Sequence, residues 1–476
     1  MIKIYFDWNV LSQLKNGKHS DLNKIISNHK NLFIPFSTSH ISDISSSFKD
    51  TPKQKEYIDS DLEFISRVTN EYCLFNNGKG IILDFYNPKE LFEQTIADKD
   101  KFSDISIDGL IKNFDESDEL TKSIVKPMFD SIKSLPLDDS LKKAFETPES
   151  SEILEKMFPG LKENPTMEGF FESFSKMNFN LNELDAYKDL RQTVQKGTGI
   201  NRDKIFDTQN PFEFIQKTYD KLGFNPENFN TKSKHSPKWF DDISNAYLKL
   251  DMHGYQEDTV NIKKGRKETF KNTTDDASHA AFASTCNFYI INDNKSYKKT
   301  KKVFQELNIN TIVFKPDEFV DYFNRFLSLE SSEIDLNIMS HLIKSDGFHE
   351  SKTEDGIYKT YLFPYFLFGF FNKIMCFIPN DSIEEDLLIL SQNKPTNWFI
   401  IDKEVEKLIN RLLEYFGNDM ENKMRLKTDE FNKEKWDGRK WKFGQFTLRL
   451  QAINGYVQLY WDYEKEKPAG NNVYKK

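Results

Sequence analysis

At 476 residues the chain is long enough for two or three domains with sizeable cores, and its 30% charged and 38% hydrophobic residues, with 43 Phe, exclude a disordered chain. A net charge of −9 argues against a general nucleic-acid coating protein but leaves room for an enzyme with a local basic channel. Cys73, Cys286 and Cys376 are too few and too scattered for a disulfide framework or a zinc site.

The chain opens M-I-K-I-Y-F-D-W-N-V-L-S. Ile2 to Phe6 reads as a buried strand that delivers Asp7 at its carboxyl end, so no secretory leader is expected. Val10, Leu11 and Leu14 then share one helical face. Leu32 to Phe36 reads as a second strand, followed by a helix with Asp43 near its first turn. Lys53 to Leu74 continues as an amphipathic helix through Ile58, Leu62, Ile65 and Val68.

The most informative stretch runs from Thr273 to Tyr297. Thr274 is a good N-cap, which would place Asp275 and Asp276 in a first turn where the macrodipole favours them. Four of the ten alanines in the chain fall between Ala277 and Ala283, and such small side chains let a helix lie close on a sheet. Phe288 to Ile291 is an apolar run without helical period, hence a buried strand, and it ends in Asn292-Asp293. If these strands are parallel, with right-handed crossovers, then Asp7, Asp43, Asp276 and Asp293 all meet at the strands' carboxyl ends. Carboxylates gathered there repel one another, and a set of oxygen ligands selects Mg²⁺ or Mn²⁺.

These residues resemble the PIN-domain nucleases. D-W-N-V-L-S is similar to that family's opening D-x-N-x-x-S, and P-F-S-T-S-H-I-S-D is similar to its strand-to-helix acidic motif. D-A-S-H-A-A-F-A and the strand ending in N-D resemble its third and fourth motifs. A helix from Lys298, a strand over Thr311 to Phe314 and then P-D-E-F resemble its closing pattern. The resemblance covers about 1–75 and 250–328. Asp43 stands where Glu is commoner, which shortens its reach, and Asn292 where Thr or Ser is frequent. The resemblance implies a PIN-like α/β core over 1–79 and 250–328, with a Rossmannoid parallel sheet flanked by helices. It also implies metal-dependent phosphodiester cleavage by Asp7, Asp43, Asp276 and Asp293, with RNA expected ahead of DNA and a toxin or defence context. Asn9 is expected to hold a carboxylate or a metal-bound water, Asp275 to support the site or cap the helix, and His279 to pack the helix or orient a carboxylate rather than act as a base.

Between the acidic motifs, 80–249 reads as a helical insertion broken by prolines. From Ile262 to Lys302 ten Lys and Arg face four acids, a local excess of six positive charges in an acidic protein. Lys263, Lys264, Arg266 and Lys267 precede the helix; Lys295 and Lys298, with Lys299, Lys301 and Lys302, follow the strand. Such a rim suits phosphate recognition.

Residues 331–476 read as a separate α+β domain. Ile401 to Phe416 is an amphipathic helix, and Asn454-Gly455 between two alternating runs marks a type I′ hairpin. Trp436, Trp441, Tyr456, Tyr460 and Trp461 are either core aromatics or a base-stacking set. Tyr361 to Phe371, the most apolar run, is too short to span a bilayer. The sum is a cytoplasmic enzyme with a nucleic-acid substrate, no membrane contact, and a C-terminal domain suited to a regulatory protein partner. The alternatives are a DNA nuclease, or a regulated or non-catalytic PIN-like interaction module.

Overall fold

The computed structural model describes residues 1–29, 31–101, 133, 135–137, 145–146, 151, 155, 158–173, 176, 186–206, 208–223, 236–255, 269–328, 332–380, 387–394, 397–427, 430–432 and 434–463. They form a mixed α/β architecture with a parallel four-stranded sheet flanked by helices, a small three-stranded sheet and a separate antiparallel sheet. By contact the chain divides into two units. One holds Met1–Lys3, His19–Phe33 and Pro316–Lys476; the other holds Ile4–Lys18 and Ile34–Lys315, so the described parts of 80–249 belong with the latter. No helix among the described residues is long and apolar enough to cross a membrane.

The parallel sheet has the order β2-β1-β6-β7, from Leu32–Phe33, Ile2–Phe6, Phe288–Ile290 and Ile312–Phe314. All five residues of β1 and all three of β6 are buried, as expected for strands covered on both faces. The chain leaves β1 towards β2 on one side and lays β6 and β7 on the other. A reversal of this kind opens a crevice beyond the carboxyl ends of β1 and β6. Ile4 pairs with Phe288 and Phe6 with Ile290, and Asp7 N–H donates to the Ile290 carbonyl at 2.9 Å. Asp7 and Asn292-Asp293 thus emerge side by side.

Four expectations need correction. Leu32 to Phe36 is not one strand. Pro35, which lacks an N–H, separates β2 from β3 (Phe36–Ser37), and β3 joins β4 (Tyr72–Asn76) and β5 (Ile81–Phe85) in the three-stranded sheet. The helix after Thr51 stops at Thr69, because Asn70 turns left-handed at φ 49° and the chain re-enters a strand. The alanine-rich helix starts at Phe270, not after Thr274, since Thr269 accepts from Asn272 N–H as its N-cap. Asp275 and Asp276 therefore lie in its second turn, where the macrodipole contributes little. Asp43 likewise lies in the second turn of Thr38–Ser46, whose cap is Ser37 with His40 completing a capping box.

In the unit that holds Pro316–Lys476, seven antiparallel strands have the order β12-β13-β14-β11-β10-β9-β8. They are Lys435–Phe443, Phe446–Ile453, Tyr456–Tyr463, Leu387–Ser391, Phe371–Pro379, Gly356–Leu367 and His349–Lys352. Helix Ile401–Phe416 buries Val405, Leu408, Ile409 and Leu412 in one core with Leu448, Leu450, Leu459 and Trp461. Asn454 and Gly455 both take positive φ, 51° and 81°, as a type I′ turn requires. Trp436, Trp441 and Trp461 are core residues and cannot stack on bases; Tyr456 is half exposed and Tyr460 partly so.

Candidate functional site

Along β1 the alternation of a strand puts Tyr5 and Asp7 on the same side. Asp7 is buried at the N-cap of Trp8–Lys15, where its carboxylate accepts from Asn9 N–H at 3.3 Å. Burial raises its pKa, and the charge of Asp43 raises it further, while His279 and Asn9 oppose the shift. The Asn9 contact comes from its main chain and is the ordinary bond of a helix N-cap.

Asp276 accepts from Ser296 Oγ at 2.7 Å and from Tyr247 hydroxyl at 3.3 Å, both on the same oxygen. Burial pushes its pKa up to about 7, with Asp7 the next cause; Ser296 and Lys299 pull the other way. A carboxyl group that titrates near neutrality is suited to proton transfer.

Asp293 caps Asn294–Glu306 by accepting from Lys295 and Ser296 N–H groups, each at 2.9 Å. Ser296 thereby bridges Asp293 and Asp276. Asn292 accepts on its carbonyl from Lys315 at 2.6 Å and donates its amide to Gln13 at 3.0 Å.

Asp43 is paired with His279, Nε2 to Oδ2 at 3.1 Å. Burial alone would lower the His279 pKa, but the hydrogen bond to Asp43 and the charges of Asp43, Asp7 and Asp276 hold it at about 9. A doubly protonated ring donates from both nitrogens, so Nδ1–H is directed to the Tyr5 hydroxyl at 2.8 Å. Tyr5 also meets Ser37 Oγ at 2.6 Å. His40 lies next to them and stays neutral, its pKa lowered by burial and by His279. Its Nδ1 accepts from Ser37 N–H at 3.0 Å, so its proton sits on Nε2, bonded to the Phe6 carbonyl at 2.8 Å.

Asp275 faces elsewhere. It binds Lys271 at 2.8 Å and Ser42 Oγ at 3.0 Å, and so ties its helix to Thr38–Ser46. Burial raises its pKa and Lys271 opposes the rise.

Of the basic rim, Lys263, Lys264, Arg266 and Lys267 lie outside the described residues. Lys295 sits in the first turn after Asp293, and Lys298 is exposed with its ammonium 5.7 Å from the Phe206 ring. Lys299 is not on a rim at all. It is buried against Asp251, which also accepts from Tyr187 hydroxyl at 2.7 Å and Arg191 at 3.3 Å. Burial opposes ionisation of Asp251, but Lys299 and Arg191 outweigh it and hold the pKa at about 2.

The structure thus brings Asp7, Asp43, Asp276 and His279 within electrostatic reach of one another and links Asp293 through Ser296. Among the described residues, no group of three or more His, Cys, Asp and Glu forms a ready-made metal cage. Comparisons with protein-family models, curated proteins and solved structures returned no match. Sequence reasoning missed Tyr5, Ser37, His40, Tyr247 and Ser296. For Tyr5 a signal existed, since Lys3, Tyr5 and Asp7 form the polar stripe of an otherwise apolar strand. For Tyr247, brought in from a distant helix, there was none.

Proposed function

We propose that this chain is a metal-dependent phosphodiesterase of the PIN type, with Asp7, Asp43, Asp276 and Asp293 as its acidic set and RNA as its substrate. The observation that carries the proposal is the convergence of Asp7 and Asp276 at the carboxyl ends of β1 and β6. Both accept hydrogen bonds from neutral groups and both have raised pKa values. The donor set fits a hard cation. Mg²⁺ is usually held by one or two carboxylates, with waters and substrate phosphates completing the shell, so a three-acid cage is not required. Asp7 and Asp276 would hold Mg²⁺ or Mn²⁺, which when bound supplies Lewis-acid activation of water and neutralises phosphate charge.

The chain's own groups divide the remaining work. His279 is protonated through neutral pH, so it does not act as a base; it fixes the rotamer of Asp43. Asp293 commits Oδ1 to its helix cap, and any ligation falls to Oδ2. Lys295 and Lys298, on the helix that Asp293 caps, would contact phosphates away from the scissile one. RNA as substrate rests on the resemblance alone.

A second reading, a PIN-like scaffold without catalysis, is favoured by the structural posts these acids already hold: Asp7 and Asp293 cap helices and Asp43 pairs with His279. One experiment separates the two. Labelled RNA and DNA panels are incubated with the purified chain and Mg²⁺, Mn²⁺ or EDTA, with metal binding followed by calorimetry. We expect metal-dependent cleavage of RNA ahead of DNA, lost in EDTA and in Asp7→Asn and Asp293→Asn. No cleavage and no binding heat would leave the scaffold.

A further inference from the structure

The seven-stranded sheet has two faces of different chemistry, and only one belongs to the core. Residues opposite one another in an antiparallel ladder share a face. Tyr361, Ile374, Leu390, Leu459 and Leu450 lie in one core with helix Ile401–Phe416. The alternate positions form the outer face. One row crosses it through Lys440, Arg449, Tyr460, Ile389, Met375 and Thr360. The next contains Lys442, Thr447, Asp462, Leu387, Phe377 and Tyr358. None of these twelve side chains is in the core cluster, and of the twelve only Ile389 is buried.

Three aromatic stations stand on this face. Tyr358 and Phe377 pack at 4.8 Å between centroids, Arg449 lies 5.2 Å from the Tyr460 ring, and Tyr456 is 50% exposed opposite Ile453. Among the described residues, the cations Lys373, Lys435, Lys440, Lys442 and Arg449 share the face with two acids: Asp462, which pairs with Arg449 at 2.6 Å, and exposed Asp437 in the bulge between Trp436 and Arg439. Among the described residues the face therefore carries a net positive charge, although the chain as a whole carries −9.

We propose that the outer face of the seven-stranded sheet is a platform for single-stranded nucleic acid, with the tyrosines and Phe377 stacking on bases and the flanking lysines meeting phosphates. Charge complementarity calls for a polyanion. The aromatic stations select one with unstacked bases, because every base offers a π-face and a duplex does not. The Arg449 guanidinium over Tyr460 extends the planar surface. An acidic peptide would use the cations and leave the rings idle. The platform is independent of the cleavage chemistry and stands if the acidic site proves inert.

The test uses the full chain in EDTA, which silences metal-dependent cleavage, and fluorescence anisotropy with labelled 12-mer single strands and duplex at several salt concentrations. We expect single strands to bind well ahead of duplex. Phe377→Leu combined with Tyr460→Leu keeps apolar volume and removes two rings; affinity should fall about tenfold or more. Lys440→Gln with Lys442→Gln alters exposed positions and should flatten the log–log salt slope by about 1.4, at about 0.7 per phosphate contact. Tyr57→Leu, an exposed ring in the other unit, should change neither. Circular dichroism and melting check each fold; if the aromatic variant unfolds, the lysine variant decides. Equal binding of duplex, no binding of single strands, or an unchanged affinity and salt slope in the folded variants would overturn the proposal.

Discussion

Asp251 and Asp276 are two acids in one unit, both within reach of Lys299, and they have been treated in opposite ways. Asp251 receives Lys299, Arg191, Tyr187 and Thr273, and its pKa is held down at about 2. Asp276 receives two neutral hydroxyls and the repulsion of Asp7, and its pKa is pushed up to about 7. The fold therefore has the means to neutralise a buried carboxylate and uses them at Asp251. A charge left under-compensated beside such a network costs stability, and under-compensated titratable groups gather at functional sites. The difference teaches that Asp251 is neutralised within the fold, while Asp7 and Asp276 are left under-compensated.

The largest effect should come from breaking the compensated side. Asp251→Asn leaves Lys299 and Arg191 buried without their counter-charge, and we expect a loss of about 3–5 kcal/mol. Urea denaturation of the variant against the parent measures it. A loss below about 1 kcal/mol would mean that these cations find water or other partners, and the contrast would weaken.

The opposite sign is expected on the other side. Asp276 has a folded pKa of about 7 against an ordinary 3.8. Between those values the folded state binds more protons than the unfolded one, so stability falls as pH rises through this window. Asp276→Asn keeps an acceptor for Ser296 and removes the charge. Its gain should be near zero at pH 4, grow between pH 4 and 7, and level off above pH 7 at about 4 kcal/mol. Thermal or urea unfolding at pH 4.5 and 8 reads the difference. Equal stability of variant and parent at pH 8 would show that the carboxylate is already neutralised in the folded chain.

Much of this contrast was legible in the sequence, but unevenly. Short strands ending in Asp7 and Asp293 could be seen because apolar runs and strand ends are local signals. The hairpin at Asn454-Gly455 and the helix Ile401–Phe416 were legible for the same reason. Helix starts were read less well: Thr274 is as good a cap by type as Thr269, and only the packed chain decides between them. Lys299 could not be told from its exposed neighbours, since burial of one lysine in a basic helix depends on Asp251, 48 residues away. Side-chain type alone gave the tryptophans of the last strands the same standing as the tyrosines. Register and the position of helix Ile401–Phe416 separate them.

The smallest expected effect concerns the cation that the acidic cluster does possess. His279 is held protonated with Nε2–H on Asp43 and Nδ1–H on the Tyr5 hydroxyl. Tyr5→Phe removes that acceptor while keeping the ring, and it also takes a partner from Ser37. A hydrogen bond to a charged group is worth more than one to a neutral group, so the protonated imidazole loses most. Its folded pKa, about 9 in the parent, should fall. The sign follows from linkage. Stability from a histidine raised above its ordinary 6.5 is fully present below that value and is lost as pH rises through the folded pKa. The cost of Tyr5→Phe should therefore be about 1 kcal/mol at pH 6 and shrink by pH 9.5. Urea midpoints at the two pH values provide the measurement. A cost that stays constant with pH would mean that the hydroxyl serves Ser37 and not the charge on His279, and that the acids have even less compensation than the contrast with Asp251 implies.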